Sequence, residues 1–253
     1  MSANGPMISA IIITKNEALN IRDCLERVAF CDERIVVDSG SDDQTMKIAQ
    51  ASGAHVFRHD WDGYGRQKNH ALSLATGEWV LSIDADERVT EALRDEILLA
   101  ITRNDCDGYE VPRLSGFCGR PMRHSGWYPD YVLRLFRRGR GQFTNDLVHE
   151  RVVCDGPVGR LSEHLLHHPV RALEAAIERV DRYSTAGAEM LVARGKRVWF
   201  MTGIVRGVFA FFRTYILRAG FLDGREGFLL AVANAEGTYY RYMKAWLVGR
   251  NRD

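Results

Sequence analysis

Two acidic residues on alternate positions, Asp84 and Asp86, directly follow a short apolar run at 79–83. A run of this length between Gly77 and a group of acids is typical of a buried parallel strand. Because side chains alternate along a strand, both carboxylates can converge on one cation beyond its carboxyl end. Carboxylates completed by phosphate oxygens are typical ligands of Mg²⁺ or Mn²⁺. The alternative is a solvated loop that caps the next helix, since short motifs often match by chance.

Alternating strands and helices would place these acids at the edge of a sheet. Apolar, β-branched runs predict strands at 8–13, 34–37, 54–57 and 79–83. Helical stretches lie between them, and Gly77 ends the last of these helices before the fourth strand. This β-α-β alternation implies a mostly parallel sheet with helices on both faces, whose strands end at a common edge.

The pattern changes after a predicted helix at 90–103. Strand-like runs then alternate with a Gly/Pro-rich stretch, and they lie at 108–114, 131–137 and 148–154. From Arg171 onward the periodicity is helical, in segments broken near Gly195 and at 220–224. We therefore expect an α/β region up to residue 170, followed by a helical extension at 171–253.

The composition is that of a soluble globular protein, with 46% hydrophobic and 26% charged residues among 253. The five cysteines show no C-x-x-C spacing, which argues against a zinc site or a disulfide framework and favours a reducing cytosol. The first seven residues lack a basic segment, so we expect no signal peptide.

The helical extension differs in charge from the rest of the chain. Residues 196–253 hold ten Lys and Arg against four Asp and Glu, a net charge of +6, whereas residues 1–195 hold 24 against 29, a net charge of −5. Arg206 and Arg213 interrupt the most hydrophobic stretch, 198–217, which favours a helix at a membrane interface over a spanning one. The alternative is a helix packed on the protein's own core or at a dimer interface. Nucleic-acid binding is not expected, because the basic residues are interleaved with large apolar ones.

Four polar segments follow one another at the predicted strand ends and in the helix before the fourth strand. They are Thr14-Lys15-Asn16-Glu17, Asp38-Ser39-Gly40-Ser41-Asp42-Asp43, Gln67-Lys68-Asn69-His70-Ala71-Leu72 and Asp84-Ala85-Asp86-Glu87. Together these segments closely resemble the family 2 glycosyltransferases over about residues 7–155. The resemblance implies the GT-A fold, with its Rossmann-like, mostly parallel sheet, and inverting transfer of a sugar from a nucleotide-sugar. The residues in these motifs are also similar to those of the lipopolysaccharide core glucosyltransferases that act on heptose. This similarity implies a UDP-glucose donor.

The resemblance assigns donor and metal contacts residue by residue. The nucleoside would be contacted by Thr14, Asn16, Glu17 and Asp38, the diphosphate by Lys68, the ribose and metal by Asp84, and the metal, Mg²⁺ or Mn²⁺, directly by Asp86. Ser39 replaces the second acid of the family's motif, which often reads the base. Asp38 could instead be only a helix cap, and Lys68 only a solvated helix residue.

The resemblance also places a general base at Glu150, which would take the proton of the acceptor hydroxyl. The neighbouring His149 could order this loop or bind the metal, or it could be a half-buried strand histidine. Trp127 and Tyr128 could stack on sugar faces, although packing beside Pro129 is equally compatible with the sequence.

The resemblance therefore predicts a GT-A domain at 1–170, with a nucleotide-sugar half at about 7–104 and an acceptor half at about 105–170. The partners would be a nucleotide-sugar and a glycan or lipid-linked acceptor, for an enzyme that is cytoplasmic or peripheral on the inner membrane face. The alternatives are a membrane-associated scaffold without catalysis and an enzyme of the same family with another acceptor. Dehydrogenases are disfavoured, because no G-x-G-x-x-G follows the first strands. The sequence predicts no oligomeric state.

Overall fold

The structure is a computed structural model that describes residues 7–103, 105–144, 151–170 and 172–250. The chain forms two compact units. Unit 1 comprises Met1–Arg113 and Asp130–His167, and unit 2 comprises Leu114–Pro129 and His168–Asp253. The sequence-based division at residue 170 assigns 114–129 to the α/β domain, whereas the contacts group this segment with the helices.

The first part of unit 1 alternates strand and helix. Its elements are β1 (Ile8–Thr14), α1 (Ile21–Arg27), β2 (Glu33–Asp38), α2 (Thr45–Ala51), β3 (His55–Arg58), α3 (Tyr64–Leu74) and β4 (Trp79–Ser82). Along β1, Ile8 and Ile12 belong to one hydrophobic cluster, whereas Ile11 and Ile13 belong to another. Because alternate residues of a strand point to opposite faces, the sheet buries apolar side chains on both sides. The predicted doubly covered sheet is thus confirmed.

The later elements extend this sheet and begin unit 2. They are β5 (Glu87–Val89), α4 (Glu91–Arg103), β6 (Gly108–Phe117), β7 (Arg120–Pro121), β8 (Asp130–Arg137), β9 (Gly141–Phe143), β10 (Val152–Cys154), β11 (Val158–Arg160) and β12 (Leu165–Val170). The strand order is β3-β2-β1-β4-β8-β6-β12-β5, with β7 and β11 also paired to β6 and with β9 and β10 as a separate pair. Strands β1 to β4 pair in parallel, and β8 joins β4 antiparallel. The mixed sheet agrees with a GT-A-like fold.

Unit 2 is mainly helical. Its helices are α5 (Leu173–Ala193), α6 (Phe200–Phe212), a π-helical turn (Arg213–Leu217), a 3₁₀ turn (Gly220–Asp223) and α7 (Gly224–Arg250). Helix α7 packs against both α5 and α6. The buried face of α6 consists of small residues, Gly203, Gly207 and Ala210, and an added Cβ on Gly207 would meet the Tyr239 Cβ at 3.2 Å. The small residues therefore allow close approach of the two helices.

The opposite face of α6 exposes large apolar side chains. The exposed fraction is 78% for Trp199, which precedes the helix, and 68% for Val208. Within the described ranges, Phe200–Leu217 is the one helical stretch long and apolar enough to cross a membrane, and 22% of it is buried.

Candidate active site

The loops that follow β1 and β2 are bonded to each other. The parallel register places Thr14 beside Asp38, and the Thr14 hydroxyl donates to the Asp38 carboxylate at 3.1 Å. The Asn16 backbone N–H donates to the Ser41 hydroxyl at 2.8 Å, and the Asn16 side-chain oxygen accepts from the Asp42 N–H at 3.0 Å. The predicted nucleoside contacts Thr14, Asn16 and Asp38 are thus brought together at one edge of the sheet.

The predicted contact Glu17 belongs to the same pair of loops. Its backbone N–H donates to the Thr45 hydroxyl at 2.8 Å, and its carboxylate accepts from the Asn20 side chain at 2.6 Å. Thr45 opens helix α2, so this bond links the start of that helix to the loop after β1. Glu17 is half-buried, which leaves part of it accessible beside Asn16.

Asp38 is buried, and its carboxylate closes its own turn. It accepts hydrogen bonds from the backbone N–H groups of Gly40 (3.0 Å) and Ser41 (2.8 Å), and from the hydroxyls of Thr14 and Ser41. Asp43, rather than Asp38, accepts from the first turn of α2, through the Thr45 N–H at 2.9 Å. Asp38 therefore holds the turn, and its contact with a nucleoside stays a prediction.

The acids after β4 lie in a turn, which corrects the expectation of a continuing strand. Strand β4 ends at Ser82, and the Glu87 N–H donates to the Asp84 carbonyl at 2.9 Å across the turn. The two side chains consequently have different partners. Asp84 faces two cations, and Asp86 faces a histidine.

Asp84 belongs to a buried group of charges. Its carboxylate lies 2.9 Å from the Lys68 ammonium and 2.5 Å from the Arg134 guanidinium, which also contacts Glu87 at 2.6 Å. Only 5% of Lys68 and 6% of Arg134 is exposed, and Glu87 is fully buried. Burial alone would raise the pKa of Asp84, but Arg134 and Lys68 hold this pKa well below its usual range. Lys68 is therefore a buried, fixed cation beside the acidic turn rather than a solvated helix residue.

Asp86 lies next to a residue that sequence reasoning missed, His167. Its carboxylate is 3.3 Å from the His167 Nε2, and β12 brings this histidine alongside β5, opposite Glu87. Burial would raise the pKa of Asp86, but the hydrogen bond and charge of His167 leave it lowered. Among the described residues, no three or more His, Cys, Asp or Glu side chains are arranged to hold a metal ion. The pair Asp86 and His167 would thus need ligand atoms from elsewhere.

A cavity of about 780 Å³ opens beside the acidic turn, within unit 1. Its lining comprises Lys68, Asp84, Glu110, Arg113, Tyr131, Val132, Leu133, Arg134, Phe143, Arg151, Val152 and Val153. The volume is that of a typical small-molecule site. Cations outnumber carboxylates on the wall, which suits an anionic ligand.

Four predicted residues remain, Glu150, His149, Trp127 and Tyr128. Glu150 and His149 fall outside the described residues, although the next residue, Arg151, lines the cavity. Trp127 and Tyr128 belong to unit 2. Trp127 packs on that unit's own apolar cluster, edge-on to Phe117 with ring centroids 5.9 Å apart. The packing role is therefore observed for Trp127, and sugar stacking by either ring stays a prediction.

The segments that form this edge of the sheet fall within one family match. The sequence model described as "Glycosyl transferase family 2" matches residues 9–155. The chain belongs to glycosyl transferase family 2. The match contains all four polar segments and Glu150, and it ends before His167.

Curated relatives of this family 2 glycosyltransferase match nearly its whole length. It is 34% identical over 252 residues to the "Lipopolysaccharide core biosynthesis glycosyltransferase LpsC" of Rhizobium meliloti, covering 94% of this chain and 90% of that protein. It is 31% identical over 253 residues to an "Uncharacterized glycosyltransferase" of Rickettsia felis, covering 94% of this chain and 88% of that protein. The enzyme is therefore a homologue of a lipopolysaccharide core glycosyltransferase.

Solved structures resemble the family 2 enzyme more distantly. A TarS fragment from S. aureus in complex with UDP-GlcNAc has a TM-score of 0.49 at 17% identity, over 73% of this chain and 66% of that chain. Glucosyl-3-phosphoglycerate synthase from Mycobacterium tuberculosis, solved with Mn²⁺, UDP and glucosyl-3-phosphoglycerate, has a TM-score of 0.37 at 27% identity, over 46% and 45%.

Proposed function

We propose that this family 2 enzyme is an inverting hexosyltransferase that moves glucose from a UDP-sugar to an inner-core heptose of lipopolysaccharide. The observation that carries the proposal is the buried charge group of Lys68, Asp84 and Arg134 beside Asp86 and His167. Preorganised charges at the end of a parallel strand suit a diphosphate leaving group. The name of the Rhizobium meliloti relative supports the acceptor class.

The donor would lie along the carboxyl ends of β1, β2 and β4. The cross-bonded loops with Thr14, Asn16, Glu17 and Asp38 support a nucleoside position there, because their mutual hydrogen bonds fix them in advance. Asp84 would accept from the ribose hydroxyls. Lys68 would stabilise the negative charge that the diphosphate gains as the C1–O bond breaks.

A divalent ion, Mg²⁺ or Mn²⁺, fits the acidic turn. Asp86 and His167 would hold it, with Asp84 close by and phosphate oxygens completing its ligands. Such an ion would neutralise charge on the departing diphosphate.

Transfer requires a base for the acceptor hydroxyl. As the hydroxyl oxygen attacks C1 from the face opposite the diphosphate, its proton would pass to Glu150 and UDP would leave. Glu150 directly precedes Arg151, and Arg151 is part of the cavity wall that begins at Lys68 and Asp84. This sequence neighbourhood supports Glu150 as the base.

The enzyme would work at the inner face of the cytoplasmic membrane, where a lipid-linked acceptor is anchored. Unit 2 supports this proposal through the exposed apolar face of α6, which includes Phe209 and Phe212. The exposed Arg206 and Arg213 lie on the same helical stretch, and basic residues are attracted to anionic lipids. Apolar burial together with this attraction would give reversible, peripheral binding.

A screen of nucleotide-sugars tests the proposed function. Wild-type protein is incubated with UDP-, GDP- and ADP-sugars, with and without Mn²⁺, and sugar release and melting temperature are recorded. We expect UDP-glucose to be hydrolysed slowly and to stabilise the protein only when the metal is present. Absence of turnover and of stabilisation with every donor would favour the scaffold without catalysis.

A further inference from the structure

One cation on the cavity wall has no carboxylate partner within the part of the chain that the structure describes. Each carboxylate on the wall or directly behind it is matched, in the pairs Asp84–Lys68, Asp84–Arg134, Glu87–Arg134, Asp130–Arg113 and Glu110–Arg160. Among the described residues that line the cavity, Arg151 is the cation that forms no ion pair. This part of the wall therefore carries a positive charge that no described carboxylate matches.

The backbone of Arg151 is held in place. Its N–H donates to the Thr144 hydroxyl at 3.2 Å, and its carbonyl accepts from the Thr144 N–H at 2.9 Å. Strands β9 and β10 pair directly beyond these bonds, with Phe143 opposite Val152. Arg151 thus carries an exposed guanidinium on a backbone that hydrogen bonds hold in place.

Arg151 directly follows Glu150, the proposed base, which must reach the acceptor hydroxyl. Lys68 and Asp84 form the part expected at the diphosphate, whereas Arg151 belongs to the wall that β8 and β10 build. The divalent ion and Lys68 would face the diphosphate in this arrangement. A group that Arg151 binds would thus belong to the acceptor.

We propose that Arg151 binds an anionic group, a phosphate or a carboxylate, on the acceptor sugar and so selects acidic acceptors. This inference rests on the proposed function. A guanidinium binds both groups with two parallel, charge-assisted hydrogen bonds, whereas the hydroxyls of a neutral sugar carry no charge. A charge-assisted bond of this kind corresponds to about a tenfold difference in affinity or more.

Direct binding to simple sugars tests the inference. The protein is first saturated with UDP and Mg²⁺, and then titrated calorimetrically with glucose 6-phosphate, glucuronate and glucose. The variants are Arg151→Gln and, as a matched control, Arg140→Gln, since Arg140 is exposed and does not line the cavity. We expect the wild type and Arg140→Gln to bind a charged sugar about tenfold more tightly than glucose, and Arg151→Gln to lose this preference. The charged sugar that binds identifies the anion as phosphate or carboxylate.

The same titrations separate the ways in which the inference can fail. An unchanged preference in Arg151→Gln, or no preference in the wild type while UDP still binds, overturns the inference alone. A fall in UDP affinity in Arg151→Gln with the sugar preference intact assigns Arg151 to the donor and also overturns it. No UDP binding by the wild type overturns the proposed function, and the inference with it.

Discussion

Unit 1 buries a group of charged side chains, whereas unit 2 exposes large apolar ones. Unit 1 buries Lys68, Asp84, Glu87 and Arg134 in one ion-paired group, although charged residues are costly to remove from water. Unit 2 packs α6 through glycines and exposes its large apolar residues, such as Phe209. Neither arrangement maximises stability. Buried fixed charge suits the stabilisation of a leaving group, and an exposed apolar face suits a surface that the protein binds.

The largest difference between the units should appear in catalysis. If the chemistry belongs to unit 1, Glu150→Gln removes the base and lowers kcat by about 10²–10⁴-fold, with UDP affinity kept. Steady-state transfer and UDP titration measure the two quantities. The control Glu178→Gln, an exposed residue of α5, should behave as wild type. Loss of UDP affinity with unchanged kcat would move Glu150 to the donor site.

The buried charge group should dominate the stability of unit 1. Arg134→Met leaves Asp84 and Glu87 without their shared cation, and we expect a loss of about 3–5 kcal/mol in the free energy of unfolding. Urea denaturation measures this loss. The exposed Arg140→Met should change stability by about 0.5 kcal/mol or less. Equal effects of the two variants would show that the buried pairs are not needed for stability.

Acid should weaken the same group. The pKa of Asp84 is lowered from its ordinary value of 3.8, so the stability due to its ionisation is present above about pH 4. This stability is lost as the pH falls from that value toward the lowered pKa. Asp84→Asn should therefore be less stable than wild type at pH 7, and the gap should narrow below about pH 4. Urea denaturation at several pH values measures this gap, and a constant gap would show that the ionisation of Asp84 does not stabilise unit 1.

The smallest effect is expected from the surface of unit 2. Changing Phe209 and Phe212 to Ser should weaken sedimentation with anionic vesicles without lowering the melting temperature, because both side chains are exposed. The matched control changes the exposed Leu98 and Leu99 of unit 1 to Ser and should leave vesicle binding intact. Binding should fall with salt, since the Debye length shortens from about 8 Å to about 3 Å at 1 M. If the Phe variant unfolds and the wild type does not bind vesicles, α6 belongs to a hydrophobic core instead.

Much of the fold follows from periodicity, because the long strands and helices bury one or both faces regularly. Short strands such as β5 and β11 were missed, since three residues show no period. The partners of the acids were also missed. Arg134 reaches Asp84 from β8, and His167 reaches Asp86 from β12, so both depend on antiparallel pairings between distant segments. The residues around Arg134 and His167 do not indicate which distant strand each would pair with. The two acids could be predicted because they directly follow a recognisable apolar strand.

We expect the acidic turn of unit 1 to bind a nucleoside diphosphate through a divalent ion. Calorimetric titration of UDP into wild type and Asp86→Ala, with Mn²⁺ and then with a chelator, tests it most directly. We expect wild type to bind UDP tightly only with Mn²⁺, and Asp86→Ala to lose this metal dependence together with sugar transfer. An Asp86→Ala protein that binds UDP with the same metal dependence and transfers sugar at the wild-type rate would contradict it.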